Sequence, residues 1–214
     1  MQRSDVPVAA AMADLVLEVV RARGIRTLDT VVVSHEDSDH AGGLEEIVAE
    51  FAPRWIIGGV DGADEPCHAG RRWSWSGVEF EVIHPPRDGA FEGNDASCAV
   101  RVRAGGSVLL LLADPEAAAE HAMLAGDLAA DVVLVPHHGS ATSSTPSLVR
   151  ASAPRWALVS AGFGNRWGFP RAEVVERWNA AGAEVLTTAS GGALSLRIGP
   201  GGVAGPPGHW RLEV

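Results

Sequence analysis

Between Ser34 and Gly43 the chain reads Ser-His-Glu-Asp-Ser-Asp-His-Ala-Gly-Gly, so His35, Asp37, Asp39 and His40 fall within six consecutive positions. Each of these side chains offers lone pairs to a divalent cation, the imidazoles through a ring nitrogen and the carboxylates through oxygen. Carboxylates crowded into one short loop repel each other unless a positive charge sits among them. A metal site is the economical reading, and Gly42-Gly43 let the backbone approach closely. Three more groups carry related chemistry. Asn94-Asp95-Ala96-Ser97 precedes an apolar strand, Asp114 follows the apolar run Val108–Leu112, and Pro136-His137-His138-Gly139-Ser140 follows Val132–Val135. Acidic and imidazole groups recurring where buried strands end is how a sheet assembles a site from distant positions.

The elements that must position these groups can be read along the chain. Ser4-Asp5 before Val6-Pro7 looks like a helix start, and an alanine- and valine-rich helix is expected to run to Arg23, with Gly24 as its stop. A strand over Thr30–Ser34 delivers the histidine/aspartate loop. A helix from Leu44 ends before Pro53, and Arg54–Gly58 is the next strand. Arg72–Trp75 and Val78–His84 flank Ser76-Gly77 as a hairpin, and Cys98–Arg103 joins Ser107–Leu112 through Ala104-Gly105-Gly106 as another. From Pro115 the rhythm alternates, with helices at 115–124, 146–152 and 170–181 and strands at Asp131–Val135, Arg155–Ser160 and Glu184–Thr187. A last strand is expected at Ala193–Ile198, followed by a loosely attached tail over 199–214. Hairpins first and helix–strand units afterwards predict an α/β (α+β) fold of mixed sheets covered by helices.

Composition bounds the function. At 214 residues, 46% hydrophobic, the chain can build one large domain with a sizeable core. Its formal net charge of −10 argues against non-specific grip on nucleic acid. A phosphate substrate would be held locally, by metal or by Arg101, Arg103, Arg166 or Arg171. Cys67 and Cys98, without CxxC spacing, exclude a disulfide framework and a cysteine zinc finger, and two buried thiols are expected rather than one disulfide. The longest strongly apolar stretch, Val108–Ala113, is too short to cross a bilayer. Residues 1–20 carry Asp5, Asp14 and Glu18 and do not read as a secretion signal, so a soluble chain is expected.

Taken in order, the motifs resemble the metallo-β-lactamase fold superfamily, and more closely the hydrolase-like domain of ComEC-type DNA-uptake (competence) proteins. The matching residues are His35 to Gly43, Trp73-Ser74-Trp75-Ser76-Gly77 to His84-Pro85, Asn94 to Ser97, Ala113-Asp114, Pro136 to Ser140, and Asn165-Arg166-Trp167-Gly168-Phe169-Pro170. The likeness runs from about Gly24 to Ile198. It implies an αββα sandwich over residues 1–198, with 1–23 as an atypical N-terminal helix where the superfamily opens with a β-hairpin, so the first strands would be missing or rebuilt. Two further departures stand out. The family's glycine before the bridging aspartate is Ala113, and its late histidine, normally a ligand of the second metal, is Phe169.

Carried over by position, the resemblance implies that His35 and Asp37 hold one metal, with Asn94 near it. Asp39 and His40 hold a second, and Asp114 bridges the two. Asp37 and Asn94 stand where the superfamily has histidines, and oxygen ligands favour Mn²⁺ or Mg²⁺ over Zn²⁺. Three carboxylates against two dications leave a net positive site, suited to a phosphodiester. Asp39, His137 and His138 are the candidate catalytic groups, the histidines as ligand, proton donor or phosphate contact. Asn94, Ser97, Gly139 and Ser140 are the candidate substrate contacts. Trp73 and Trp75 share a strand face and are expected to pack rather than to stack on bases, and His84 is expected to be structural.

The implied function is a metal-dependent phosphodiesterase, a nuclease acting on DNA during uptake that degrades the strand not imported. The implied partners are DNA, a membrane channel domain and other competence proteins. The implied place is the extracytoplasmic face of the inner membrane, or the cytoplasm for a detached protein. Two alternatives remain open. One is a catalytically degenerate DNA- or partner-binding module with an incomplete second metal site, and the other is a small-ester metallo-hydrolase.

Overall fold

The computed structural model describes residues 16–199, 202–203 and 207–210. Two compact units divide the chain, one ending at Cys67 and the other beginning at His68. In the first, α1 (16–22) is the described part of the expected N-terminal helix, and its start near Ser4 lies outside the described residues. Gly24, at φ 70°, ends it as the sequence predicts. β1 (Thr30–Val33) and β2 (Trp55–Gly58) pair in parallel and are joined by α2 (Leu44–Phe51). An ion pair between Arg21 and Glu50 ties α1 to α2. Gly58 lies so close to β1 that a Cβ there would stand 2.8 Å from the Val33 carbonyl oxygen.

The second unit is built on a sheet of seven strands in the order β3 to β9. β3 (Arg72–Trp75), β4 (Val78–His84), β5 (Ala99–Ala104) and β6 (Ser107–Leu111) are antiparallel. Both expected hairpins are present. Their two-residue turns hold Ser76 and Gly77 at φ 49° and 80°, and Gly105 and Gly106 at φ 54° and 95°, the left-handed pair that matches strand twist. Trp73 packs flat on Phe80 across the β3–β4 pair, with ring centroids 5.1 Å apart, which bears out its reading as a packing residue. β7 (Val132–Leu134), β8 (Trp156–Val159) and β9 (Glu184–Thr187) continue the sheet in parallel.

Parallel neighbours need crossovers, and α3 (Ala117–Met123), α4 (Pro146–Ser152) and α5 (Ala172–Ala180) supply them. Leu110, Leu112, Val133, Leu148, Val174 and Trp178 are fully buried in one core between these helices and the sheet. That core fixes the ends of β6 and β7, where Asp114 and the histidine pair emerge. After β9 comes a single turn, α6 (Thr188–Gly191).

The strand expected over Ala193–Ile198 is two strands instead. β10 (Ala193–Ser195) and β11 (Ile198–Gly199) belong to separate small sheets. Gly202, at φ 92°, allows β12 (Gly202–Val203) to fold back on β11, and β13 (Gly208–Trp210) pairs with β10, so parts of the expected tail are paired. The cysteines also depart from expectation, since Cys67 and Cys98 are both disulfide-bonded rather than free buried thiols. Among the described residues no helix is long and apolar enough to cross a membrane.

Candidate functional site

In the first unit, the loop after β1 coils into helical turns, with Ala41 N donating to Asp37 O at 2.8 Å and Gly42 N to Ser38 O at 3.1 Å. The coil brings the His35 and His40 rings to 4.2 Å between centroids. Ser34 Oγ sits 3.1 Å from His35 Nδ1 and 3.0 Å from His40 Nδ1. A hydroxyl oxygen has two lone pairs and can accept from both N–H groups. In that tautomer both Nε2 atoms carry lone pairs. The carboxylates lie on the Nε2 side, Asp37 Oδ2 at 3.6 Å from His35 and Asp39 Oδ2 at 3.9 Å from His40. All four expected residues are thus gathered by local chain geometry. Ser34 was not foreseen as a site residue, and its only signal was its place directly before the first histidine.

In the second unit the groups come from four separated segments. Asp114 is 5% exposed at the end of β6, and its amide donates to Ser97 Oγ at 3.1 Å. Ala113 before it takes φ 59°, a conformation glycine adopts freely. The glycine that the resemblance implies at that position would therefore have a backbone reason. His138 Nε2 lies 3.3 Å from Asp114 Oδ2, and its Nδ1 lies 2.8 Å from the Ser160 carbonyl. A carbonyl only accepts, so Nδ1 carries the proton in the hydrogen bond. Nε2 then faces the carboxylate, either with its lone pair or as part of an imidazolium.

The loop that presents His138 is strained. His137, His138 and Gly139 stand at φ 50°, 52° and 82° in succession. It is pinned by His137 N to Ala113 O and by Arg171 N to Gly139 O, both at 2.9 Å. A Cβ on Gly139 would stand 2.6 Å from Pro170 Cβ, so only glycine fits there.

Other expected residues are placed differently. His137 turns from Asp114 toward Glu116, with Nδ1 3.4 Å from Oε1, and toward Thr142 Oγ1 at 3.2 Å. Ser97, expected on the substrate side, is fully buried and spends its hydroxyl on the Asp114 amide, so it positions the carboxylate instead. Ser140 is 6% exposed and shares a hydrogen bond with Thr142 Oγ1 at 3.0 Å. Asn94 lies in a 3₁₀ turn over Gly93–Ala96. Arg101 does not supply a free cation, being 6% exposed and bonded to Glu81 Oε2 at 2.9 Å. His84 is 2% exposed with Nε2 2.6 Å from Asp95 O, and burial lowers its pKa.

The sequence also hid Glu120. It is fully buried on α3 and accepts from Ser144 N at 2.5 Å and Thr145 N at 2.7 Å, securing the loop after the histidine pair. Burial raises its pKa above the usual carboxylate range, against those hydrogen bonds and the nearby Arg177 charge.

The donor set fits a divalent cation. In each unit an imidazole oriented through Nδ1 turns Nε2 to a carboxylate oxygen 3.3 to 3.9 Å away. That spacing is too long for a good hydrogen bond but close to the separation of two ligand atoms on one ion.

Comparison with known proteins agrees. A family model described as the metallo-beta-lactamase superfamily matches residues 7–162. The chain belongs to this superfamily. It is 37% identical over 201 residues to competence protein ComA of Neisseria gonorrhoeae, covering 92% of this chain and 29% of that protein. It is 33% identical over 194 residues to recombination protein 2 of Haemophilus influenzae, covering 88% of this chain and 24% of that protein. The chain therefore spans less than a third of the length of these relatives. A solved structure described as a metal-dependent hydrolase from Parabacteroides distasonis superposes with a TM-score of 0.54 at 15% identity, over 77% of this chain and 78% of the other, which shows the fold. The fold class read from the sequence and the likeness to competence proteins are thus both found, and a metal-dependent hydrolase-type domain is the coarse description.

One family position is altered in a visible way. Phe169, where the resemblance implies a histidine, lies beside His138 with near-parallel rings, 6.4 Å apart and 20° between planes. Asn165 fixes it by a pair of hydrogen bonds, Nδ2 to Phe169 O at 2.7 Å and Phe169 N to Oδ1 at 2.8 Å.

Proposed function

We propose that this domain is a metal-dependent phosphodiesterase, a nuclease that acts on DNA during uptake. The observation that carries the reading is the Asp114–His138 pair, a buried carboxylate 3.3 Å from an imidazole whose other nitrogen is committed to Ser160. His35, Asp37, Asp39, His40 and Asp114 are the proposed metal ligands, with Mn²⁺ or Mg²⁺ favoured by the oxygen-rich set. A bound dication would supply charge neutralisation and polarise the phosphoryl oxygens.

The chain's own groups do the rest. Ser34 holds two imidazoles in the ligating tautomer, and Ser97 fixes the backbone of Asp114. In this reading Asp39 takes a proton from the attacking water. His137, which contacts Glu116 and Thr142, gives one to the leaving oxygen in the same reading. Asn94, Gly139 and Ser140 remain the proposed substrate contacts.

The names of the relatives, competence protein and recombination protein, support an uptake role. The disulfide-bonded state of both cysteines supports an oxidising compartment, hence the extracytoplasmic face of the inner membrane beside a channel domain. A second reading is favoured by Phe169, which in place of a ligating histidine suits a DNA-binding module with an incomplete second metal position.

The deciding experiment compares wild type with Asp114→Ala on linear DNA with Mn²⁺, alongside metal analysis of both proteins. Cleavage should fall at least about 10³-fold, a loss of about 4 kcal/mol of barrier lowering, and bound metal should drop. Cleavage that survives Asp114→Ala overturns the mechanism. Wild type that binds DNA without cutting it establishes the second reading.

A further inference from the structure

The segment from Ala161 to Arg171 contains two arginines, three aromatic residues and no acid, in a chain whose formal charge is −10. Its rings form a ladder. Trp167 and Phe169 are near-parallel, 12° between planes and 6.5 Å between centroids, and Phe169 continues to His138 at 20° and 6.4 Å. Arg166 Cζ stands 4.5 Å from the Trp167 centroid and Arg171 Cζ 5.7 Å from that of Phe169. The outer end is open to solvent, with Trp167 47% exposed and Phe163 91%.

This loop is ordered by its own bonds. Asn165 clamps the Phe169 backbone from both sides and also donates to Gly162 O at 2.9 Å. An exposed aromatic surface held rigid before any ligand arrives has little entropy left to lose on binding. Aromatic faces interleaved with arginine match single-stranded nucleic acid, where each unpaired base offers a π-face and each phosphate a negative charge. In a duplex those faces are already stacked on neighbouring bases.

We infer that the Arg166–Trp167–Phe169 ladder is a base-stacking platform that seats an unpaired nucleotide next to the phosphate presented to His138, giving the site a preference for single strands. The inference rests on the phosphodiesterase reading for its substrate, and it gives Phe169 a positive role. The ring that replaces a histidine links the platform to the reactive end.

The test is binding, read without turnover. Fluorescence anisotropy of a labelled oligothymidylate is measured in EDTA for the whole 214-residue chain. Trp167→Ala should weaken single-strand binding roughly 5- to 100-fold, while Trp167→Phe restores most of it. A hairpin duplex should change less than about twofold, because its bases are not offered for stacking. An abasic oligonucleotide of the same length should bind wild type about as weakly as Trp167→Ala binds thymidylate. Unchanged binding in Trp167→Ala, or equal losses on single strand and duplex, overturns the platform. Asp114→Ala should retain tight single-strand binding while losing Mn²⁺-dependent cleavage. If it still cuts, the phosphodiesterase reading fails, and the platform is judged on the EDTA data alone.

Discussion

The loop after β1 and the loop after β7 both follow a short apolar strand and both carry two histidines, yet they are held in opposite ways. The first is a relaxed coil whose hydrogen bonds run between residues three to six apart, from Asp37 to Ala41 and from Ser34 to His40. The second is a run of left-handed residues that stands only because distant segments grip it, at Ala113, Ser160, Arg171 and, one turn later, Glu120. Ligand geometry can therefore be inexpensive when local and costly when assembled from afar. The costly version places a buried carboxylate against an imidazole from a segment twenty-four residues further along the chain.

If the second loop depends on remote support, removing that support should matter most. Glu120→Ala leaves two backbone N–H groups, of Ser144 and Thr145, without their buried acceptor, and should cost about 3 kcal/mol in urea unfolding. The penalty should also depend on pH. Glu120's folded pKa is raised above its ordinary 4.5, so its contribution is full below that value and is lost as pH rises through the folded one. The difference between wild type and Glu120→Ala should therefore grow as pH is lowered toward 5, and a difference that shrinks would break the assignment.

The local loop predicts the reverse pattern. Ser34→Ala should scarcely move the melting temperature but should weaken metal binding about 10- to 100-fold by titration calorimetry, as loss of an orienting partner does. Equal metal affinity would show that Ser34 does not set the tautomers. The smallest expected effect is Ala113→Gly. Relief of the strained φ of 59° should outweigh the added freedom of the unfolded chain and stabilise by about 0.5 kcal/mol.

The same contrast explains what the sequence displayed. Glycine-bearing turns at Ser76-Gly77 and Gly105-Gly106, and the helix–strand alternation after Pro115, are local signals, and the hairpins and crossovers followed them closely. The histidine/aspartate loop was legible for the same reason. Glu120 was not, because a glutamate on a short alanine-rich helix looks like a solvated one until Ser144 and Thr145 are brought to it from twenty-four and twenty-five residues away. Ser97 looked like a substrate contact because its partner, the Asp114 amide, lies seventeen residues on. The break inside Ala193–Ile198 was hidden because it depends on where β12 and β13 return. The state of the cysteines was not legible because spacing in the sequence carries no distance in space.

Glu81 on β4 bonds Arg72 on one side and Arg101 on the other, three charges in register across β3, β4 and β5. β3 is the outermost strand of its sheet, and it carries Trp75, 57% exposed. Unguarded, such a margin would recruit the same margin of another molecule. The guanidinium of Arg72, 72% exposed and anchored by Glu81, puts a charged side chain at that border. The Arg72–Glu81–Arg101 set is thus both a cross-strand pairing and a charged margin of the kind that disfavours edge-to-edge association of strands.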